Sequence, residues 1–164
     1  MTQAEHTGRT AVITGAARGI GAAAARALAG CGARVVLVAR SAEELKASAD
    51  SIQADGGEAL ALAADLTGAD WLADLDGVAP EVDLLVNNAA SFAPYRPLEE
   101  VSEEDLRGVL EVGILAALRL TQHVMGGMKA RGFGRIVNVG SVAATHGAGG
   151  QVAYATAKAA ALVT

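Results

Sequence analysis

Aromatic residues are scarce in this chain: Phe, Tyr and Trp make up 3% of its 164 residues, while hydrophobic residues as a whole make up 52%. A core with so few rings is filled by Ala, Val, Leu and Ile at close quarters, with 20 glycines supplying turns and near approaches. That profile suits alternating strands and helices better than a β-sandwich. Cysteine is nearly absent. The single Cys31 excludes an internal disulfide, and its setting between Gly30 and Gly32 marks it as a small packing residue rather than a nucleophile. The formal charge of -5 is spread without a basic run, so the electrostatic footprint of a nucleic-acid or anionic-membrane binder is missing. No apolar run reaches the about 18 residues of a membrane span, and the opening "MTQAEHTGRT" lacks the apolar stretch of a signal peptide. The expectation is a cytoplasmic protein with no nucleic-acid, membrane or metal partner.

What is present is an alternation. With no internal repeat or long polar tract, residues 1–164 are expected to form one domain. Short apolar runs recur at "AVIT" (11–14), "RVVLVA" (34–39), "ALALAA" (59–64), "VDLLVN" (82–87) and "RIVNVG" (135–140). They lack the polar alternation of a strand with one wet face and read as buried parallel strands. Helical segments lie between them. "SAEELKASADSIQADGG" opens with Ser41 and Glu44 at capping-box spacing and closes on Gly56 and Gly57. "SEEDLRGVLEVGILAALRLTQHVMGGM" opens with Ser102 and Asp105 and carries an apolar stripe at Leu106, Val109, Leu110, Ile114, Ala117, Val124 and Met128. The pattern predicts an α/β fold, a Rossmann-like doubly wound parallel sheet in three α/β/α layers. Its last helix begins near Gln151 and is cut off at Thr164.

"AVITGAARGIG" sets a Gly-rich turn between the first strand and an Ala-rich helix. Gly15, Gly19 and Gly21 let the backbone approach a pyrophosphate, and the helix start at Arg18 to Ile20 offers N–H groups and a favourable dipole. The spacing is T-G-x-x-x-G-x-G rather than the common G-x-G-x-x-G. An acid at the end of the second strand would bind the ribose 2'-hydroxyl of NAD(H). Here the strand ends at Ala39 and Arg40, and Arg40 with Arg18 can face a 2'-phosphate. NADP(H) is therefore preferred, with NAD(H) possible. Asp65, after the third strand, either accepts from an adenine amino group or caps a turn. Asn87 and Asn88 in "NNAA" end a buried strand, where their amides need a polar network or a ligand.

Six residues before the end stands "YATAK". Tyr154 and Lys158, at i and i+4, share a helix face, so the ammonium can lie near the phenol and make it an activated general acid. Ser141, at the end of the fifth strand, would bring a hydroxyl to the same cleft, "HGAGGQ" giving the chain slack to return.

With Thr14 to Gly21, "NNAA", Ser141 and "YATAK" in this order, the chain resembles the short-chain dehydrogenase/reductase family in its compact branch. The stretch "GSVAATHGAGGQVAYATAKAAL" is similar to the bacterial 3-oxoacyl-acyl-carrier-protein reductases. The resemblance implies hydride transfer between a nicotinamide and a small-molecule carbonyl or secondary alcohol, in a homo-oligomer. It makes Tyr154 the proton donor or acceptor, Ser141 the holder of the substrate oxygen, and Lys158 the ligand of the nicotinamide ribose. Asn88 and Ala89 match the segment that lines the cofactor. Three departures stand against it. Ala90 replaces the usual Gly after "NNA", and Gly113 occupies the place of an Asn that helps hold a relay water. The family's further strands and substrate-covering segment are also expected beyond this chain. A cofactor-binding pseudoenzyme and a fragment of a longer reductase remain open as alternatives.

Overall fold

A computed structural model describes residues 5–162. The five apolar runs become β1 (Thr10–Thr14), β2 (Arg34–Ala39), β3 (Glu58–Ala63), β4 (Leu84–Asn87) and β5 (Arg135–Asn138). All neighbours pair in parallel, in the order β3-β2-β1-β4-β5. The helices are α1 (Gly19–Gly30), α2 (Ala42–Ala54), α3 (Trp71–Val78), α4 (Glu103–Leu110), α5 (Ala116–Arg131), α6 (Ala143–His146) and α7 (Val152–Ala160).

Successive strand residues point to opposite faces, and the two faces have separate cores. Ala11, Ile13, Val35, Leu37 and Leu84 pack with Ala25 and Ala29 of α1 and with Leu45, Ala49 and Ile52 of α2. Val12, Val36, Val38 and Leu85 turn the other way, onto Trp71 and Leu75 of α3 and Leu120, Val124 and Met128 of α5. Burial on both sides is why the central strands read as continuous apolar runs. The small Ala residues of α1 let that helix lie close to the sheet.

The order reverses at β1, whose neighbours are β2 and β4, and such a switch point opens a crevice at the carboxyl ends of the strands. β1 and β4 are tied at both ends. At the base, buried Asp83 accepts from the Thr10 N–H at 3.0 Å and from the Arg9 guanidinium at 3.2 Å. At the top, the Thr14 hydroxyl donates to the Val86 carbonyl at 3.4 Å.

Both predicted helix caps form. The Ser41 hydroxyl accepts from the Glu44 N–H at 3.4 Å and the Ser102 hydroxyl from the Asp105 N–H at 3.0 Å. A five-residue π-helical stretch, Glu111–Leu115, joins α4 to α5, so that Glu103–Arg131 runs as one helix of 29 residues. Its buried positions are Val109, Gly113, Ile114, Ala116, Leu120, Val124 and Met128. Ala116, next to the expected Ala117, takes the core position after the wide turn. By length and composition this helix is apolar enough to cross a bilayer. Its Leu120, Val124 and Met128 instead fill the core against the sheet.

Two expectations change. β3 and β5 are the sheet's edges, and they are not buried throughout as the runs suggested: Val137 of β5 is 53% exposed, and Ile136 and Leu60 are also exposed. An apolar run cannot tell a central strand from an edge strand, because edge position depends on pairing partners far along the chain. Cys31 is exposed at the end of α1 rather than packed inside.

Candidate active site

The Gly-rich turn is held from several sides. The Thr14 hydroxyl accepts from the N–H groups of Asn88 and Ala89, both at 3.1 Å. The Asn88 amide donates to the carbonyls of Thr14 at 3.0 Å and Gly15 at 3.1 Å. From α2, the Ser48 hydroxyl donates to the Ala17 carbonyl at 2.9 Å. Gly15 and Gly19 have φ of +65° and +59°, the left-handed region that favours glycine. Gly21 has a different task. A Cβ there would lie 2.4 Å from the Gly15 carbonyl oxygen and 2.6 Å from the Asn88 amide nitrogen, so its role is to let α1 abut the turn. It does not line the cleft. Arg18 at the N-cap provides no side-chain cap, and the first turn of α1 carries no acid. The N–H groups at that end are left for an anion, which suits the pyrophosphate of a dinucleotide.

A cleft of about 510 Å³ opens above this turn, and it is lined by Gly15, Arg18, Gly19, Ile20, Arg40, Asp65, Asn88, Ala89, Tyr154 and Lys158 among others. Strand order sorts its walls. Arg18, Arg40, Glu44 and Asp65 follow β1, β2 and β3, whereas Ala90, Phe92, Gly140 and Tyr154 follow β4 and β5. The first wall carries four charged side chains, and the second is apolar apart from Asn88, Ser91, Tyr154 and Lys158. Arg18 and Arg40 are exposed. Asp65 both lines the cleft and caps a turn, its carboxylate accepting from the Thr67 N–H at 3.0 Å. That bond, the Thr67 hydroxyl and the nearby Arg40 hold the carboxyl below its ordinary pKa. Arg119 braces the same loop, donating to the carbonyls of Leu66 at 2.9 Å and Thr67 at 3.2 Å and to the Glu111 carboxylate at 2.7 Å.

At the other end α7 presents Tyr154 and Lys158. Lys158 is only 4% exposed. Its ammonium donates to the Val139 carbonyl at 2.6 Å and stands 6.0 Å from the centre of the Tyr154 ring. Burial lowers its pKa, because the charged form has lost water and gained no counter-charge. The Tyr154 ring stacks on Phe92, with centres 4.6 Å apart and planes at 21°. Ser141 follows β5 as predicted but does not line the cleft; its hydroxyl accepts from the Ala143 N–H at 3.2 Å, at the start of α6. Gly113 is buried where the π-helical stretch meets α7, and a Cβ there would lie 3.1 Å from the Ala157 Cβ. Beside it a small cavity of about 10 Å³ is lined by Asn87, Gly113, Asn138 and Lys158 among others. Among the described residues, no cluster of three or more His, Cys, Asp or Glu is placed to hold a metal.

Sequence reasoning missed two residues that shape the site. Thr14 was visible only as part of the Gly-rich motif, yet its hydroxyl joins β1, β4 and the segment after β4. Phe92 carried no signal beyond being one of two Phe in an aromatic-poor chain. The two Asn divide their work. Asn87 donates to Thr121 at 3.2 Å and to Asn138 at 2.9 Å behind the sheet end, while Asn88 serves the turn.

Known proteins are similar in sequence and fold. A ketoacyl reductase of Nostoc sp. is 37% identical over 163 residues, covering 93% of this chain and 54% of its own length. The 3-oxoacyl-[acyl-carrier-protein] reductase of Escherichia coli is 36% identical over 153 residues, covering 93% of this chain and 62% of its own. Among solved structures, a putative NAD(P)-dependent gluconate 5-dehydrogenase from Beutenbergia cavernae, with NADP bound at low occupancy, superposes with a TM-score of 0.89 at 39% identity, covering 98% of this chain and 65% of that one. This chain thus spans between about half and two thirds of the length of these relatives. Residues 9–163 match the family described as short chain dehydrogenase, and the chain belongs to that family.

Proposed function

We propose that this chain is the cofactor-binding and catalytic part of an NADP(H)-dependent oxidoreductase that interconverts a small-molecule carbonyl compound and the corresponding secondary alcohol. The observation that carries the reading is that an uncapped, glycine-bordered helix start and the Tyr154–Lys158 pair line one cleft. The NADP bound by the structural relative named above agrees with it. Backbone N–H groups from Gly19 onward would hold the pyrophosphate, Arg18 and Arg40 the 2'-phosphate, and Asp65 the adenine side. Asn88 and Ala89 would wall the nicotinamide half. When bound, the nicotinamide supplies or accepts the hydride at the substrate carbon.

The chain's own residues handle the proton. In the reducing direction the Tyr154 hydroxyl gives its proton to the substrate oxygen, and in the oxidising direction it takes one back. The ammonium of Lys158, short of counter-charge, faces the negative charge that the departing proton leaves on the phenol oxygen. The family resemblance gives Ser141 the substrate oxygen; the residue stands outside the cleft lining in this structure, and its bond to the Ala143 N–H, in which the serine oxygen accepts, leaves its hydroxyl hydrogen free to donate. Membership of the family supports a homo-oligomer as the working form, in the cytoplasm.

The test is a titration and a turnover assay together. NADPH binds more tightly than NADH, Arg40→Asp narrows or reverses the difference, and Tyr154→Phe abolishes carbonyl-dependent NADPH oxidation while cofactor binding persists. Retained turnover in Tyr154→Phe would move the chemistry elsewhere, and equal affinity for the two cofactors, unaffected by Arg40→Asp, would remove the phosphate assignment.

A further inference from the structure

The chain has two Phe and two Tyr, and one of each is stacked at the reactive end of the cleft. Phe92 is 63% exposed and lines the cleft. One face of the ring lies on Tyr154; the other is open. Its loop is fixed to the turn before α7. The Arg96 N–H donates to the Gly150 carbonyl at 3.1 Å, and a Cβ on Gly150 would lie 3.3 Å from the Tyr95 ring. The Arg96 guanidinium also pairs with Asp105 at 3.7 Å. Phe92 is therefore held beside the phenol.

The surroundings are poor in charge. All the charged lining residues except Lys158 stand on the β1–β2–β3 side of the cleft, and the Lys158 ammonium is engaged by Val139. Ala89, Ala90, Val112, Val139 and Gly140 make up most of the rest of the Tyr154 end. Asn88, Ser91, Tyr154 and Lys158 are the polar lining groups at that end, and the Lys158 ammonium already donates to the Val139 carbonyl, so a carboxylate or a row of hydroxyls brought there would exchange its water for those partners alone.

We propose that Phe92 is a substrate-recognition wall of the Tyr154 site, selecting carbonyl compounds that carry a flat or cyclic apolar group next to the reacting carbon over anionic or polyhydroxylated ones. This rests on the oxidoreductase reading above and names the substrate class for it. The open face of Phe92 stacks on the apolar group while the carbonyl oxygen meets the Tyr154 hydroxyl, so the ring both covers the substrate and is covered by it.

The experiment uses the full chain with saturating NADPH and two probes, acetophenone and 5-ketogluconate, whose dissociation constants are read by ligand-observed saturation-transfer NMR. The wild type binds acetophenone in preference. In Phe92→Ala the preference falls by about two- to tenfold, the range expected for losing one aromatic stack; Phe92→Tyr keeps it and Phe92→Leu lies between. Thermal unfolding of each variant shows that the fold is retained. An unchanged preference in folded Phe92→Ala, or a wild type that favours 5-ketogluconate, would overturn the proposal. So would a loss confined to NADPH affinity, since the ring would then face the cofactor. A wild type that does not bind NADPH at all would overturn the oxidoreductase reading itself, and the proposal with it.

Discussion

Replacing Gly21 with Ala tests whether the turn and α1 are pressed together as closely as they stand. The new methyl would lie 2.4 Å from the Gly15 carbonyl oxygen, 2.6 Å from the Asn88 amide nitrogen and 2.9 Å from the Gly15 carbonyl carbon. Ordinary contact between carbon and oxygen begins at about 3.3 Å, so turn and helix must part by roughly 1 Å. Overpacking of this kind costs about 1–3 kcal/mol. Parting them also strains the two Asn88 bonds to the Thr14 and Gly15 carbonyls, each contributing about 1 kcal/mol. Against this, Ala in a helix gains about 0.5–1 kcal/mol over Gly. The net expectation for Gly21→Ala is a loss of about 2–4 kcal/mol. Gly30, at the other end of α1, has nothing within 4 Å of its Cβ position, so Gly30→Ala should stabilise by about 0.5 kcal/mol. Urea melts followed through Trp71, the one tryptophan in the chain, would separate the two midpoints by about 1–3 M for a domain of this size. Coincident midpoints would refute the close approach and return Gly21 to a purely ligand-facing role.

Gly113→Asn, which introduces the residue the family resemblance puts at this place, should destabilise the chain by about 1–3 kcal/mol, because its Cβ would crowd Ala157 at 3.1 Å. Ala157→Gly should recover much of that loss in the double variant, and independent effects of the two changes would argue against contact. For Lys158 the pH dependence has a fixed sign. Its folded pKa is lowered by burial from an ordinary 10.5, so between the lowered value and 10.5 the unfolded chain binds more protons and stability rises with pH. Urea melts between pH 7 and 10 should show the wild type gaining on Lys158→Met as pH rises through that window. A difference that stays flat or falls would mean that the ammonium is not desolvated.

Much of the site was legible because its parts are local. A strand, a glycine turn and a helix start are adjacent in sequence, and the i, i+4 spacing of Tyr154 and Lys158 already places both on one face of α7. The caps at Ser41 and Ser102 follow the same rule and form where their spacing puts them. The rest depends on distant neighbours. That Gly21 packs against the turn follows from Asn88, 67 positions further on, being donated into it. The direction of the Ser141 hydroxyl is set by the start of α6, a four-residue helix with no periodic signal. Phe92 reaches Tyr154 only because its loop returns over α7, and the exposure of β5 is a property of the sheet's order rather than of its residues.

The π-helical stretch at Glu111–Leu115 bears on how the chain length of this protein can vary. A π turn holds one residue more than an α turn, and that residue is spare: removing one from the stretch would leave an unbroken α-helix with α4 and α5 still turned the same way. The core stripe at Leu120, Val124 and Met128 and the α4 contact with α7 through Val109 would survive such a deletion. What would change is the width of the helix where Gly113 meets Ala157 and the small cavity beneath Lys158. Insertions and deletions are ordinarily confined to loops. Here the middle of a long core helix can gain or lose a residue, and the adjustment falls next to the lysine that faces the phenol.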